Sequence, residues 1–258
     1  MNEAKSMQVR KGVAVAGISD VGCQRTNNED SYAYWESASD SEYEQKGRLA
    51  VVADGMGGHE GGQEASSIAV QTIQQVYAET PDSDPGSLMA EAFRAAHQRI
   101  HRYATEHPQL RGMGTTATAI VLLGKQLYFL HVGDSRLYLV RGGKASRLTH
   151  DHSYVSRLVE FGVITAEEAE FHPQRHILTT ALGVGPEFSS DMPERPIALE
   201  PGDILLLCTD GLWGVVSDEE LAQVVSENTP SQACRMLLDL AKKRGGPDNI
   251  TLQVLRID

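Results

Sequence analysis

Apolar positions run along the chain in two rhythms. From Gly12 to Asp20, Val13, Val15 and Gly17 alternate and predict a strand. Ser31 to Glu36 (SYAYWE) predicts a second. Arg48 to Ala53 predicts a third, buried strand from an unbroken apolar run. Between the last two, Ser37 to Gly47 (SASDSEYEQKG) is polar throughout and predicts a hairpin loop. From about Gly62 the rhythm lengthens. Ala65, Ile68, Ala69, Ile73, Val76 and Tyr77 fall on one helical face, and Leu88, Met89, Ala92, Phe93, Ala96, Ile100 and Tyr103 on another. The connector PDSDPGS makes these two helices an antiparallel pair.

The middle of the chain returns to short strands. TTATAIVLL, QLYFLHVGD and SRLYLVRGG are β-branched or aromatic and are separated by Gly-Lys and Gly-Asp-Ser turns. Thr149 to Glu170 switches to helical spacing with a break near Gly162. Asp203 to Thr209 is another buried strand. Ser217-Asp218-Glu219-Glu220 reads as a capping box opening a helix. Ser231 to Arg244 reads as a further helix, stopped by Gly245-Gly246-Pro247, and NITLQVLRI closes the chain as a strand. Helix pairs therefore lie between blocks of consecutive strands. That order predicts an α+β fold of antiparallel sheets with helices packed outside, rather than a doubly wound one. No internal repeat or linker divides the chain, so 1–258 reads as one domain.

Composition narrows the function. Asp and Glu outnumber Lys and Arg by 35 to 23, a net charge of −12, which argues against nucleic acid as partner. An acidic chain also repels a phosphorylated substrate unless cations intervene. No apolar run reaches the length of a membrane span, and the N-terminal residues lack the apolar core of a signal peptide. The three cysteines, Cys23, Cys208 and Cys234, are scattered and odd in number, as expected in a reducing compartment. A soluble cytoplasmic protein is the expectation.

One pattern carries chemistry. Apolar strands run out and end on aspartate: LAVVAD at Asp54, LYFLHVGD at Asp134, ILLLCTD at Asp210. Asp248 precedes the last strand, and Glu29-Asp30 follows the first after a short polar loop. Each Asp-Gly alone reads better as a turn than as a ligand. Several buried carboxylates with few lysines or arginines nearby call for bound cations. Oxygen ligands suit Mg²⁺, Mn²⁺ or Ca²⁺. Zinc is disfavoured: no Cys-x-x-Cys is present, and His59-Glu60 runs into Gln63 instead of completing HExxH. His150-Asp151-His152 could bind metal, but Asp151 reads better as a helix cap. Gly143-Lys144 does not complete a Walker loop, and Cys208 has no following arginine. Ser66 and Ser135 lack the flanks of a nucleophile elbow. Arg25 offers paired donors to a phosphate; alone it reads better as a surface pair with Asp20 or Glu29.

Seven segments together, RTNNED, VVADGMGGH, MGTTATAIVL, HVGDSRLYLV, LTHDHSYVSRLVEFGVIT, LCTDGLWGVVSDEEL and GGPDNIT, occur in the order and kind of one family. From about Gly12 to Ile257 the chain resembles the metal-dependent, PP2C-like serine/threonine protein phosphatases, in their bacterial form. The resemblance implies a four-layer α-β-β-α sandwich with a metal channel at one end of the sheets. It implies that Asp54, the Gly55 carbonyl, Asp210 and Asp248 hold two Mn²⁺ or Mg²⁺ ions. Glu29 and Asp30 would act directly or through water, and Asp134 would help hold a third, weaker ion. Arg25 would bind the substrate phosphate, and a metal-activated water would attack phosphorus without a covalent intermediate. The substrates implied are phosphoproteins of a bacterial serine/threonine kinase; a monomer is the separate expectation. Met56 stands where some eukaryotic relatives carry a proton-donating histidine; His59 is a weaker candidate for proton transfer. Gly214 replaces an acid of animal relatives, and Thr180 replaces a commonly basic residue. The segment at about 150–182 resembles a variable flap. A silent binding module of the same fold and a small-molecule phosphoesterase are the alternatives.

Overall fold

The computed structural model describes residues 5–6, 10–57, 59–81 and 84–258, with Lys5, Ser6 and His59 described in their backbone alone. The strands are β1 (Lys5–Ser6), β2 (Val13–Asp20), β3 (Asp30–Glu36), β4 (Arg48–Met56), β5 (Gly114–Thr115), β6 (Ala117–Leu123), β7 (Gln126–Val132), β8 (Arg136–Arg141), β9 (Lys144–Arg147), β10 (Ile197–Ala198), β11 (Ile204–Cys208) and β12 (Ile250–Ile257). The helices are α1 (Asp40–Lys46), α2 (His59–Glu79), α3 (Pro85–Glu106), α4 (Tyr154–Glu160), α5 (Ala166–Glu170), α6 (Asp210–Trp213), α7 (Asp218–Glu227) and α8 (Pro230–Lys243).

Two antiparallel sheets result. One runs β1-β2-β12-β11-β8-β9; the other runs β10-β7-β6-β4-β3, with β5 paired to β4. Period-two alternation explains the unbroken apolar runs, because each central strand is buried on both faces. In β4, Ala50 and Val52 join Val13, Val15, Ile120, Phe129, Leu205, Leu207 and Leu255 between the sheets. Leu49, Val51 and Ala53 point the other way, into a layer with Ala65, Ile73, Leu88, Phe93 and Ile100 of α2 and α3. On the far side, Ile18, Leu206, Leu252 and Val254 pack under Leu221, Val225, Leu237 and Leu238 of α7 and α8. The layers are α-β-β-α, as the resemblance implied, and the helices lie outside antiparallel sheets, as the block pattern predicted.

Some local readings differ. Ser37 to Gly47 is not a loop: residues Asp40–Lys46 form α1. It lacks an apolar stripe and is held by Tyr43, which lies between the guanidinium groups of Arg10 and Arg48 at 4.7 and 4.9 Å, and by Lys46, which donates to the Ala78 carbonyl. Helix α2 begins at His59, before Gly62. Asp151 does not cap α4; Ser153 does, accepting from Ser156 N. Asp151 instead accepts two hydrogen bonds from Arg136, at 3.0 and 2.6 Å. The capping box at Ser217 and Glu220 is present as read, and the 149–170 segment breaks into α4 and α5 around Gly162.

Candidate metal centre

Antiparallel pairing gathers the strand-end acids. In register, Asp30 on β3 lies directly opposite Asp54 on β4. Asp134 follows β7, and Asp210 opens α6 just beyond β11. Asp248 leads into β12. All five meet at the same end of both sheets, because β4, β7 and β11 run out where β3, β8 and β12 begin.

Packing at glycines brings the loops close. A Cβ on Gly55 would stand 2.0 Å from the Gly62 carbonyl oxygen and 2.6 Å from that of Glu29. Gly55 N donates to the Glu29 carbonyl at 3.1 Å, so β4 and the loop before β3 interlock there. A Cβ on Gly211 would stand 2.0 Å from the Asn249 carbonyl oxygen. Asn249 ties the remaining strands together: its Oδ1 accepts from Glu29 N at 2.8 Å, while Nδ2 donates to the carbonyls of Val21 and Asn27. Thr116 accepts from Asp54 N through Oγ1, at 2.9 Å.

The acids are poorly compensated. Burial, helped by the charges of Asp210 and Asp248, pushes the Asp30 carboxyl up to about 7, although Thr251 and Thr209 hydrogen bonds oppose it. Burial and then the charges of Asp30, Asp210, Asp134 and Asp248 push Asp54 well above the carboxylate range. Asp134 is pushed up by burial and by Asp210, and Asp210 by burial and by Asp248. Asp30 Oδ2 accepts from Thr209 Oγ1 at 2.8 Å, but Asp30 Oδ1 and Asp210 Oδ1 are buried with no hydrogen-bond partner. Among the described residues, no three His, Cys, Asp or Glu side chains close to the spacing of a finished coordination shell. Asp54 and Asp210 are close enough to share a side-chain hydrogen bond, and the orphaned oxygens mark what a cation would complete. Hard-oxygen donors without nearby thiolates fit Mg²⁺ or Mn²⁺.

Arg25 pairs with Asp248, and the charges of Glu29 and Asp210 also bear on its guanidinium. Its Nη2 donates to Asp248 Oδ2 at 2.7 Å, and its side chain is 51% exposed. Asp248 Oδ1 accepts from Asn249 N at 2.8 Å, so both oxygens of this acid are oriented. The side chain of His59 lies outside the described residues. The His150-Asp151-His152 stretch does not offer a zinc ligand set. His152 Nδ1 accepts from Gly133 N at 3.1 Å, which leaves the ring hydrogen on Nε2, pointed at Asp191 Oδ2 at 3.2 Å.

Residue-by-residue reading missed the neutral organisers: Asn249, Thr209, Thr116, and Trp213, whose Nε1 donates to the Asp134 carbonyl at 3.0 Å. It also missed His176 of the flap, whose imidazole lies near enough to Asp210 to bear on its carboxylate. No local pattern distinguishes these residues from ordinary turn or core positions.

Comparison with known proteins agrees with this geometry. The family profile described as Protein phosphatase 2C matches residues 24–235. The serine/threonine protein phosphatase PstP of Mycobacterium tuberculosis is 39% identical over 240 residues; the match covers 93% of this chain and 44% of that protein. The chain thus spans less than half the length of that relative. The protein phosphatase PhpP of Streptococcus pneumoniae is 35% identical over 246 residues, covering 93% of this chain and 96% of its own. The catalytic domain of PstP, crystallised with two manganese ions, superposes with a TM-score of 0.81 at 35% identity, covering 96% of this chain and 99% of that one. A sandwich with acids gathered at one end, matched along nearly its whole length, leaves one conclusion: the chain belongs to the protein phosphatase 2C family of metal-dependent serine/threonine phosphatases.

Proposed function

We propose that this chain removes phosphate from phosphoserine and phosphothreonine of proteins, by water attack and without a covalent enzyme intermediate. The uncompensated acid cluster beside a half-exposed arginine carries this reading. Asp54, the Gly55 carbonyl, Asp210 and Asp248 would hold two divalent ions, Mn²⁺ or Mg²⁺. Glu29 and Asp30 would add ligands directly or through water, and Asp134 would help hold a third, weaker ion. Bound there, the ions supply an acidified water and neutralise phosphoryl charge.

The chain's own groups supply position and polarity. Asp248 anchors one edge of the Arg25 guanidinium, so the remaining N–H donors are presented in a fixed plane to phosphate oxygens. Thr209 donates to Asp30 Oδ2, which leaves Oδ1 as the free acceptor for a water or an ion. A thiol nucleophile is disfavoured at Cys208, which is buried and whose thiol is pushed up by burial. The sheets and their helix pairs would form one catalytic domain. The segment at about 150–182 would act as a flap that influences substrate choice; Phe161 and Phe171 stand largely exposed on it. Among the described residues no helix is long and apolar enough to cross a membrane. A cytoplasmic monomer acting on the products of a serine/threonine kinase is the setting we infer.

The test is hydrolysis of a phosphothreonine peptide with Mn²⁺, with chelator, and with Asp54→Ala. Release of phosphate should require the ion and Asp54. Turnover that survives both treatments would overturn the proposal. A preference for p-nitrophenyl phosphate over every phosphopeptide tried would favour a small-molecule phosphoesterase.

A further inference from the structure

Asp134 sits in a three-residue turn, Gly133-Asp134-Ser135, between β7 and β8. Asp134 is buried, and its side chain is carried by this turn. The direction in which that side chain can project depends on the turn's backbone. Each residue of the turn is held by a different partner. Ser135 Oγ lies 2.8 Å from Thr116 Oγ1, and the Asp134 carbonyl accepts from Trp213 Nε1. Gly133 is held on both sides by one residue: His152 N donates to the Gly133 carbonyl at 2.7 Å, and Gly133 N donates to His152 Nδ1 at 3.1 Å. Gly133 has φ of 104°, and a Cβ there would stand 2.5 Å from Thr116 Cγ2, so the turn has little room to find another shape.

The imidazole is itself fixed. Its Nε2 faces Asp191 Oδ2 at 3.2 Å, its face lies against the His131 ring with centroids 4.9 Å apart, and its side chain is 13% exposed. Asp191 is pinned in turn, because its backbone N–H and carbonyl pair with those of His131 at 2.9 Å each. The His152 carbonyl accepts from Thr179 N at 2.8 Å, which places the same residue at the stem of the 150–182 segment.

We propose that His152, oriented by Asp191, is a positioning residue that holds Asp134 in the direction needed to receive a cation. This rests on the reading of Asp134 as a ligand of the weaker ion. The acceptor at Nδ1 is the operative atom: it takes the Gly133 N–H that no other group in the turn satisfies. The flap stem and the ion site thereby share one side chain.

Two measurements test this. In the Mg²⁺-loaded wild-type protein, long-range ¹⁵N correlations should show the His152 ring neutral with its hydrogen on Nε2. A hydrogen on Nδ1 would overturn the proposal, and this readout needs no variant to fold. Calorimetric titration with Mn²⁺ then separates the readings. Asp134→Ala should abolish the weakest binding event; if all events remain, the reading of Asp134 fails first. Given that loss, His152→Gln keeps reach to Asp191 but leaves no acceptor at the Nδ1 position, and should weaken the same event roughly 10- to 100-fold, as an outer-shell partner does. His152→Asn retains an acceptor near Nδ1 and should hold the event near its wild-type strength. Wild-type binding in His152→Gln, or equal weakening in both variants, would overturn the inference.

Discussion

At the residue scale, the site is an arrangement of buried acids that raise one another's affinity for protons. Asp54 feels the charges of four other aspartates. Asp54→Ala should therefore lower turnover by more than the roughly 10–100-fold typical of losing an outer-shell partner, while the thermal midpoint of the ion-free protein rises as repulsion is relieved. Steady-state kinetics and thermal melts check the two halves. Arg25 offers a different signature. It binds Asp248 and is half exposed, so Arg25→Ala should raise KM for phosphopeptide about tenfold or more, the equivalent of a charge-assisted hydrogen bond. Mn²⁺ affinity should change far less. An unchanged KM would make Arg25 a surface pair. The acids were legible in the sequence because the strand-Asp pattern repeats. The true partner of Arg25 was not, since Asp248 is 223 residues away and only folding brings it within 2.7 Å.

At the element scale, close backbone approach does what side chains cannot. The carbonyl of Asn249 lies so near Gly211 that a methyl group would collide with it. Gly211→Ala should cost about 1–3 kcal/mol of stability and weaken Mn²⁺ binding, because α6 carries Asp210. Denaturant unfolding and calorimetry measure both; unchanged ion binding would show that the loops can shift freely. The cap of α7 is a milder device. Ser217 accepts from Glu220 N, and Glu220 reaches Arg244 at the end of α8 at 2.6 Å. Ser217→Ala should cost about 1 kcal/mol and leave KM unchanged. The cap, α2, α3, α7, α8 and the long strands were readable because local periodicity and capping chemistry fix them. Helix α1 was not, because its anchor is a tyrosine between two arginines from other segments. Asp151 misled for a similar reason: its sequence position suits a cap, but Arg136 lies across the turn and claims both oxygens.

At the scale of the whole molecule, the acid cluster links ions, protons and stability. In the ion-free fold Asp30 holds its proton up to about 7, and Asp54, Asp134 and Asp210 are also shifted upward. Unfolded aspartates titrate near about 3.9. Between those values the folded protein binds more protons than the unfolded chain, so its stability falls as pH rises. His131 works in the opposite direction. Burial pushes it down to about 4, so its contribution is lost as pH falls from the unfolded value near about 6.5 towards that point. The two overlap, and only the ion-dependent part isolates the acids. The stabilisation by Mn²⁺, followed as a rise in thermal midpoint, should therefore grow between pH 5.5 and 7.5, and amounts to about 2.7 kcal/mol once Mn²⁺ is a hundredfold above its Kd. A rise independent of pH would mean that ion binding displaces no protons.

The sequence by itself determined the layers, the helix pairs, the family and the acids at strand ends. Hydrophobic period and capping residues act over a few neighbouring residues, and the family follows from short motifs read in order along the chain. The tertiary structure decided which acids face one another, that Asp248 receives a hydrogen bond from Arg25, and that Asn249, Thr209 and Thr116 hydrogen-bond to groups around the acids. Those choices depend on strand register and on contacts between segments far apart in the chain. A neutral side chain that satisfies a distant backbone group leaves no local trace, and only packing shows which group it serves.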